Sequence, residues 1–285
     1  MKSLNNKFSS LDLQFIAHWV YIVLSIHLYQ SYTPLMNLAV AYLLVFLLIY
    51  TGKKYTQGRY FNHTYLTVFA VCNSTYLNAL YDYHYFLVFP LTVLLGVSIK
   101  LFFRRNIQKR SMLNPSLTAI FLASMFFPQY VTYGPNLWSS EWWQIITVLV
   151  IGSYVTYRAR TLVLSYSYIG SYILSSIIIG VILKINIFSS TMPVASPLSW
   201  ILGILSFGKL IFIFHVISDP LSGPITTKGK IIFGASIAFI EVLMKYFGIL
   251  NSVAISYMLV LTLLHVVEDF IERKQAKLEP ALAVS

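Results

Sequence analysis

Apolar runs of span length recur from one end of this chain to the other, separated by short polar gaps. They fall near 13–29, 35–51, 64–80, 86–103, 112–128, 142–157, 161–183, 198–217, 230–248 and 252–270. Roughly 20 apolar residues cross a bilayer core of about 30 Å. Backbone groups inside such a core must be satisfied within the segment, so each run predicts a helix. A membrane β-barrel would instead alternate apolar and polar residues in segments of about ten, and these runs do not alternate. The pattern predicts an all-α polytopic membrane protein of about ten transmembrane helices. A single membrane domain covers 1–270, in halves of about 1–130 and 131–270, and 271–285 forms an exposed tail. Two halves of five spans each would be inverted repeats.

Composition supports this. Charged residues make up 10% of the chain and hydrophobic residues 58%, with a mean hydropathy of +0.73. Soluble domains carry about 25% charged residues, so too few are present here to cover a water-facing surface. The first run, Leu13 to Tyr29, is followed by no A-x-A-like cleavage site and reads as a span. The single Cys72 excludes an internal disulfide and any multi-cysteine metal or cluster site.

The net charge of +11 suggests nucleic acid only until the charges are placed. Of the 20 Lys and Arg residues, 17 fall in alternate gaps beginning with the N-terminus, two (Lys184 and Lys245) fall in the others, and Lys209 lies within a span. The positive-inside rule puts the rich side, and both ends, in the cytoplasm of a cell or inner membrane. Partners are then the bilayer and other membrane subunits, and no nucleic acid is expected. Two aromatic clusters, Tyr81 with Tyr83 and Tyr85, and Trp138 with Trp142 and Trp143, fall on the outer side as interface anchors.

Ionisable residues inside spans are costly and therefore functional candidates. Lys209 sits in the middle of the eighth span, and Glu241 and Lys245 lie four apart on one face of the ninth. That order favours a helix pair. Its bland reading is self-neutralisation with Lys245 snorkelling, and its functional reading is the lining of an ion or proton path. His18 and His27 in the first span, His215 in the eighth and His265 in the last fit hydrogen bonding between helices better than metal binding.

Two loops stand apart. Asn114-Pro115-Ser116 opens the fifth span as an N-cap followed by Pro at N1. Ser218-Asp219-Pro220-Leu221-Ser222-Gly223-Pro224-Ile225-Thr226-Thr227 cannot be helical throughout. It reads either as a tight cytoplasmic turn or as a segment lining a cavity. The two loops lie about 105 residues apart, which suggests matching positions in the two halves, the arrangement that marks a site at a repeat interface. The chain carries no P-loop and no dinucleotide fingerprint.

The stretch Phe214 to Phe270 resembles the NqrB/RnfD family, membrane subunits of sodium-pumping NADH:quinone reductase and of the Rnf electron-transfer complex. The family run F-x-x-T-D-P-x-[ST]-x-x-x-T-x-x-G-R-x-x-F-G stands here as Phe214 to Ser222, with Thr226 or Thr227, Gly229-Lys230 and Phe233-Gly234. A family Arg matches Lys245, a terminal Asp matches Asp269, and an N-P run looks like Asn114-Pro115. The gap from Pro128 to Glu141 holds Thr132 but no S-G-A-T-like motif, so covalent FMN is not expected. The family's Asn and Pro in the last span give way to residues near Thr262 and Val266.

The resemblance implies a shortened membrane subunit of an Rnf/Nqr-like electron-transport system coupled to cation movement, with room for a noncovalent flavin and no catalysis by this chain alone. Asn114, Pro115, Ser218, Asp219, Pro220, Ser222 and Thr226 would line the inner half of a pathway, and Glu241 and Lys245 its outer half. The alternatives are a stand-alone carrier or exporter for a small solute, and a membrane scaffold.

Overall fold

The computed structural model describes residues 10–29, 33–55, 65–81, 86–102, 113–133, 141–182, 197–220 and 222–282. The side chain of His27, and Tyr83, Tyr85, Trp138, Lys184, Leu221 and the basic stretch 104–110, lie outside the described residues.

The chain is predominantly α-helical. In order it forms α1 (Ser10–Tyr29), α2 (Thr33–Tyr55), α3 (Tyr65–Leu77), β1 (Ala79–Tyr81), α4 (Val88–Phe102), α5 (Pro115–Phe126), β2 (Val131–Tyr133), α6 (Trp142–Arg158) and α7 (Leu162–Ile182). The second half continues with α8 (Pro197–Gly203), α9 (Phe207–Ile211), a π-helical segment (Phe212–Ile217), α10 (Thr227–Tyr246) and α11 (Ser252–Leu282). Among the described residues, Leu35–Lys53 within α2 and Leu162–Ile182 are long and apolar enough to cross a membrane, and six further apolar helical stretches are shorter.

Local chemistry sets the helix ends. Asn114 accepts from the Leu117 amide at 3.0 Å and Pro115 follows at N1, so α5 starts as the sequence indicates. The Glu141 amide donates to Gln144 Oε1 at 3.3 Å at the start of α6. Gly248, at φ +70°, donates to the Lys245 carbonyl and closes α10.

One expectation is corrected. The run 198–217 is not one helix. Gly203 and Ser206 interrupt it, and α8 unwinds through bonds three residues back, Ile204 to Ile201, Leu205 to Leu202 and Ser206 to Gly203. Ser206 then caps α9, accepting from the Lys209 amide. Within the expected tail, α11 continues to Leu282.

Four helix packings among α1–α5 have counterparts among α6–α11, while α3 also packs against α4 and α5. Helices α1 and α3, α2 and α3, α2 and α4, and α4 and α5 pack together, and so do α6 and α9, α7 and α8, α7 and α10, and α10 and α11. Between the halves α1 meets α6, and α5 meets α11. The short strands β1 and β2 pair antiparallel across the halves, Leu80 opposite Thr132. Tyr81 is buried against Phe89, with ring centroids 4.9 Å apart, so it does not act as a surface anchor, whereas Trp142 is exposed.

Close helix contacts use glycine. A Cβ on Gly234 would lie 2.8 Å from the Leu164 carbonyl, and one on Gly152 would lie 2.7 Å from the Phe214 ring. The α7–α10 and α6–π-segment contacts therefore require bare backbone at these positions.

Candidate functional site: a polar cavity and a buried ion cluster

The cavity forms where α1, α3, α4, the start of α5 and the end of the π segment converge. It measures about 50 Å³ and is lined by Gln14, His18, Lys100, Asn114, His215 and Asp219, among others. A water needs about 10–15 Å³ by this measure, so the space suits a few waters or one small ion. It brings together the two loops that the sequence singles out.

Each loop residue has a defined place. Asp219 follows the π segment, and Ser222 donates to its Oδ2 at 2.8 Å, folding the Asp-Pro turn onto itself. Ser218 is buried and donates back to the Ile213 carbonyl at 2.9 Å, with the Ser165 hydroxyl of α7 beside it. The Tyr257 hydroxyl of α11 lies near Ser222, Asn114 and Asp219. Pro115 and Ser116 are buried at the cavity wall, Ser116 donating to the Val71 carbonyl at 3.4 Å. Pro220 is half-buried in the turn after Asp219. Thr226 does not join them: it is exposed, and its hydroxyl is spent accepting from the Gly229 amide as the cap of α10.

The 105-residue spacing does not reflect matching positions. Asn114 opens the fifth helix of the first half, whereas Asp219 precedes the penultimate helix of the second. They meet because both occupy the same end of the bundle.

A stripe on α1 that sequence reading did not single out as a unit holds the π segment in place. Gln14 donates to the His215 carbonyl at 3.3 Å. The His18 ring meets His215 edge-on at 4.9 Å between centroids. Tyr21 lies 3.2 Å from His215 Nε2 through its hydroxyl. These three residues follow helical spacing, so one face of α1 grips His215 by its backbone and its ring. Both nitrogens of His18 and Nδ1 of His215 are buried without a protein hydrogen-bond partner.

The second cluster lies deeper, among α7, α9 and α10. Glu241 is fully buried. Its Oε1 receives Lys209 Nζ at 2.6 Å and Lys245 Nζ at 3.0 Å, and its Oε2 receives the Tyr168 hydroxyl. Lys245 also donates to the Tyr172 hydroxyl at 2.6 Å. Lys209 Nζ stands 5.2 Å from the Tyr168 and Phe212 ring centres. The i,i+4 pair expected on α10 is thus present, but Lys245 turns toward Tyr172 and Glu241 instead of reaching outward. The pairing of Lys209 with Glu241, between α9 and α10, had no sequence signal beyond two opposite charges in apolar runs. Tyr168 and Tyr172 repeat the four-residue spacing of Glu241 and Lys245, which matches two helices in register.

His265 on α11 lies 3.6 Å from Glu268 through Nδ1, in neither cluster. Thr132 lies in β2. No family model matches this chain, and no curated protein matches it. The NqrB/RnfD likeness therefore rests on the residues quoted above.

Proposed function

We propose that the chain is an integral membrane protein of about ten spans, built as two inverted halves, that provides a cation pathway starting at the Asn114–Asp219 cavity on the cytoplasmic side. The observation that carries this reading is the cavity itself: polar segments that interrupt apolar runs in both halves converge on one small polar cavity. Irregular backbone at membrane depth is tolerated where it lines such a space, and broken helices at repeat interfaces are its usual setting.

Other observations support the membrane reading. Large apolar side chains cover the exterior, as along α7, where Leu174, Ile178 and Ile182 are 59%, 44% and 70% exposed; a surface of this kind suits lipid. Gaps assigned to one side by charge alone also meet in space. β1 pairs with β2, both from outer gaps, and Lys230 reaches the Arg160 carbonyl at 2.7 Å, both from inner gaps. The recurrence of the packing pattern, with α1 against α6 and α5 against α11, fits a two-fold relation between halves.

Within this reading the chain serves as a membrane subunit of an Rnf/Nqr-like electron-transport system, with Asp219 as the cation-attracting group and Lys209–Glu241–Lys245 as a fixed charge centre further along. The cavity offers about 50 Å³ to water-sized groups, and no step is routed through a flavin.

The test is cation uptake. Purified chain in liposomes, under an imposed inside-negative potential, is expected to admit sodium ions or protons, and Asp219→Asn to lose most of that uptake while melting like wild type. Undiminished uptake by the variant overturns the pathway. A stand-alone solute carrier would show uptake of neither ion and no partner subunits on purification from its own membrane.

A further inference from the structure

We propose that His18 and His215 form a proton-loading and relay site at the inner end of the pathway, so that the cation the cavity admits is the proton. The inference rests on the pathway reading above and names the species carried.

The geometry supplies what a relay needs. A neutral imidazole carries one N–H donor and one lone pair. It can take a proton on one nitrogen and release one from the other, with no change in its electron count. Three buried nitrogens, both of His18 and Nδ1 of His215, have no protein partner. Buried polar atoms are otherwise almost always paired, with protein or with ordered water. The two side chains line a space that suits a few waters, and the nitrogens themselves have no exposed surface in it. The relay requires water to enter from that space, complete their hydrogen bonds and link them to the Asp219 end of the cavity.

The fourth nitrogen, His215 Nε2, meets the Tyr21 hydroxyl at 3.2 Å. A proton arriving through water adds to a free lone pair of His18. The opposite His18 N–H passes its proton, through water, to Nδ1 of His215. His215 Nε2–H then gives a proton to the Tyr21 oxygen, which releases its own hydroxyl proton onward. Each step forms one N–H or O–H bond and breaks another, and each group returns to its starting charge. Among the described residues, the charged groups that line the same cavity are Lys100 from α4 and Asp219 from the turn. The π segment serves this arrangement. It presents the His215 carbonyl to Gln14 and its ring to α1, and such segments recur at functional sites.

One feature argues against a multi-ligand metal site: among the described residues no group of three metal-ligating side chains surrounds the pair.

The experiment reconstitutes the full chain in liposomes containing a pH-sensitive dye. A potassium-valinomycin potential drives influx, and proton and radiolabelled sodium influx are measured in parallel. His18→Gln is the first variant because it breaks no protein hydrogen bond, and His215→Gln and Tyr21→Phe follow. Proton influx is expected in wild type and should fall about tenfold or more in His18→Gln and His215→Gln, with melting temperatures unchanged in His18→Gln. Proton influx that persists in both histidine variants but is lost in Asp219→Asn overturns the relay and leaves the pathway standing. Sodium influx without protons does the same. Influx of neither ion in wild type overturns the pathway and the relay with it.

Discussion

Two buried polar regions in one bundle are satisfied in opposite ways. In the Lys209–Glu241–Lys245 cluster both carboxylate oxygens are occupied, and Tyr168 and Tyr172 complete the set. At the His18–His215 cavity three buried nitrogens have no protein partner. Both regions are costly to bury. The first offsets its cost internally, which locks α7, α9 and α10 together. The second leaves three nitrogens without a protein partner, and the proposed relay fills that deficit with water. Under that proposal the first region is a fixed charge centre and the second the place of a mobile species.

The contrast is broken first at Glu241. Glu241→Ala leaves Lys209 buried without its carboxylate and is expected to cost about 3–5 kcal/mol, read as a large drop in melting temperature in detergent. A variant that melts like wild type would show that the cluster is not a lock. Gly234→Ala should follow at about 1–3 kcal/mol, because its new methyl meets the Leu164 carbonyl of α7 at 2.8 Å; the same melt measures it. Asn114→Ala removes the cap of α5 and should cost about 1 kcal/mol, with helix content by circular dichroism nearly unchanged. His18→Phe is the smallest and sharpest case. No protein hydrogen bond is lost, and a buried imidazole without a protein partner is replaced by an apolar ring, so stability should stay level or rise slightly. A loss as large as that of Glu241→Ala would mean that His18 is held by bonds and that the two regions do not differ.

Much of this architecture is legible in hydropathy. Most of the apolar runs become helices within a few residues of the expected bounds, because a long apolar run has few other ways to satisfy its backbone. The Asn114 cap and the Asp219-Pro220 turn were readable for local reasons: each depends on side chains within three residues of its own backbone. The interruption of 198–217 was also written locally, in Gly203, Ser206 and Gly208, but is masked by the hydrophobicity around it. What could not be read is long-range pairing. Lys209 with Glu241, Tyr21 with His215 and Gln14 with the His215 carbonyl span 32, 194 and 201 positions. Periodicity indicates which face of a helix is polar, but not which other helix that face will meet. Thr226 shows the same limit in reverse: its spacing suited a pathway, but the cap of α10 claims its hydroxyl.

The central claim is that the chain crosses a membrane with the Asp219 cavity open to the cytoplasmic side. Cysteine labelling tests it most directly. In a Cys72→Ser background, Asp219→Cys is exposed to a membrane-impermeant thiol reagent in inverted and in right-side-out vesicles. The account predicts labelling in inverted vesicles only. Labelling in right-side-out vesicles alone, or equally in both, would contradict the assigned orientation and the cytoplasmic mouth of the pathway.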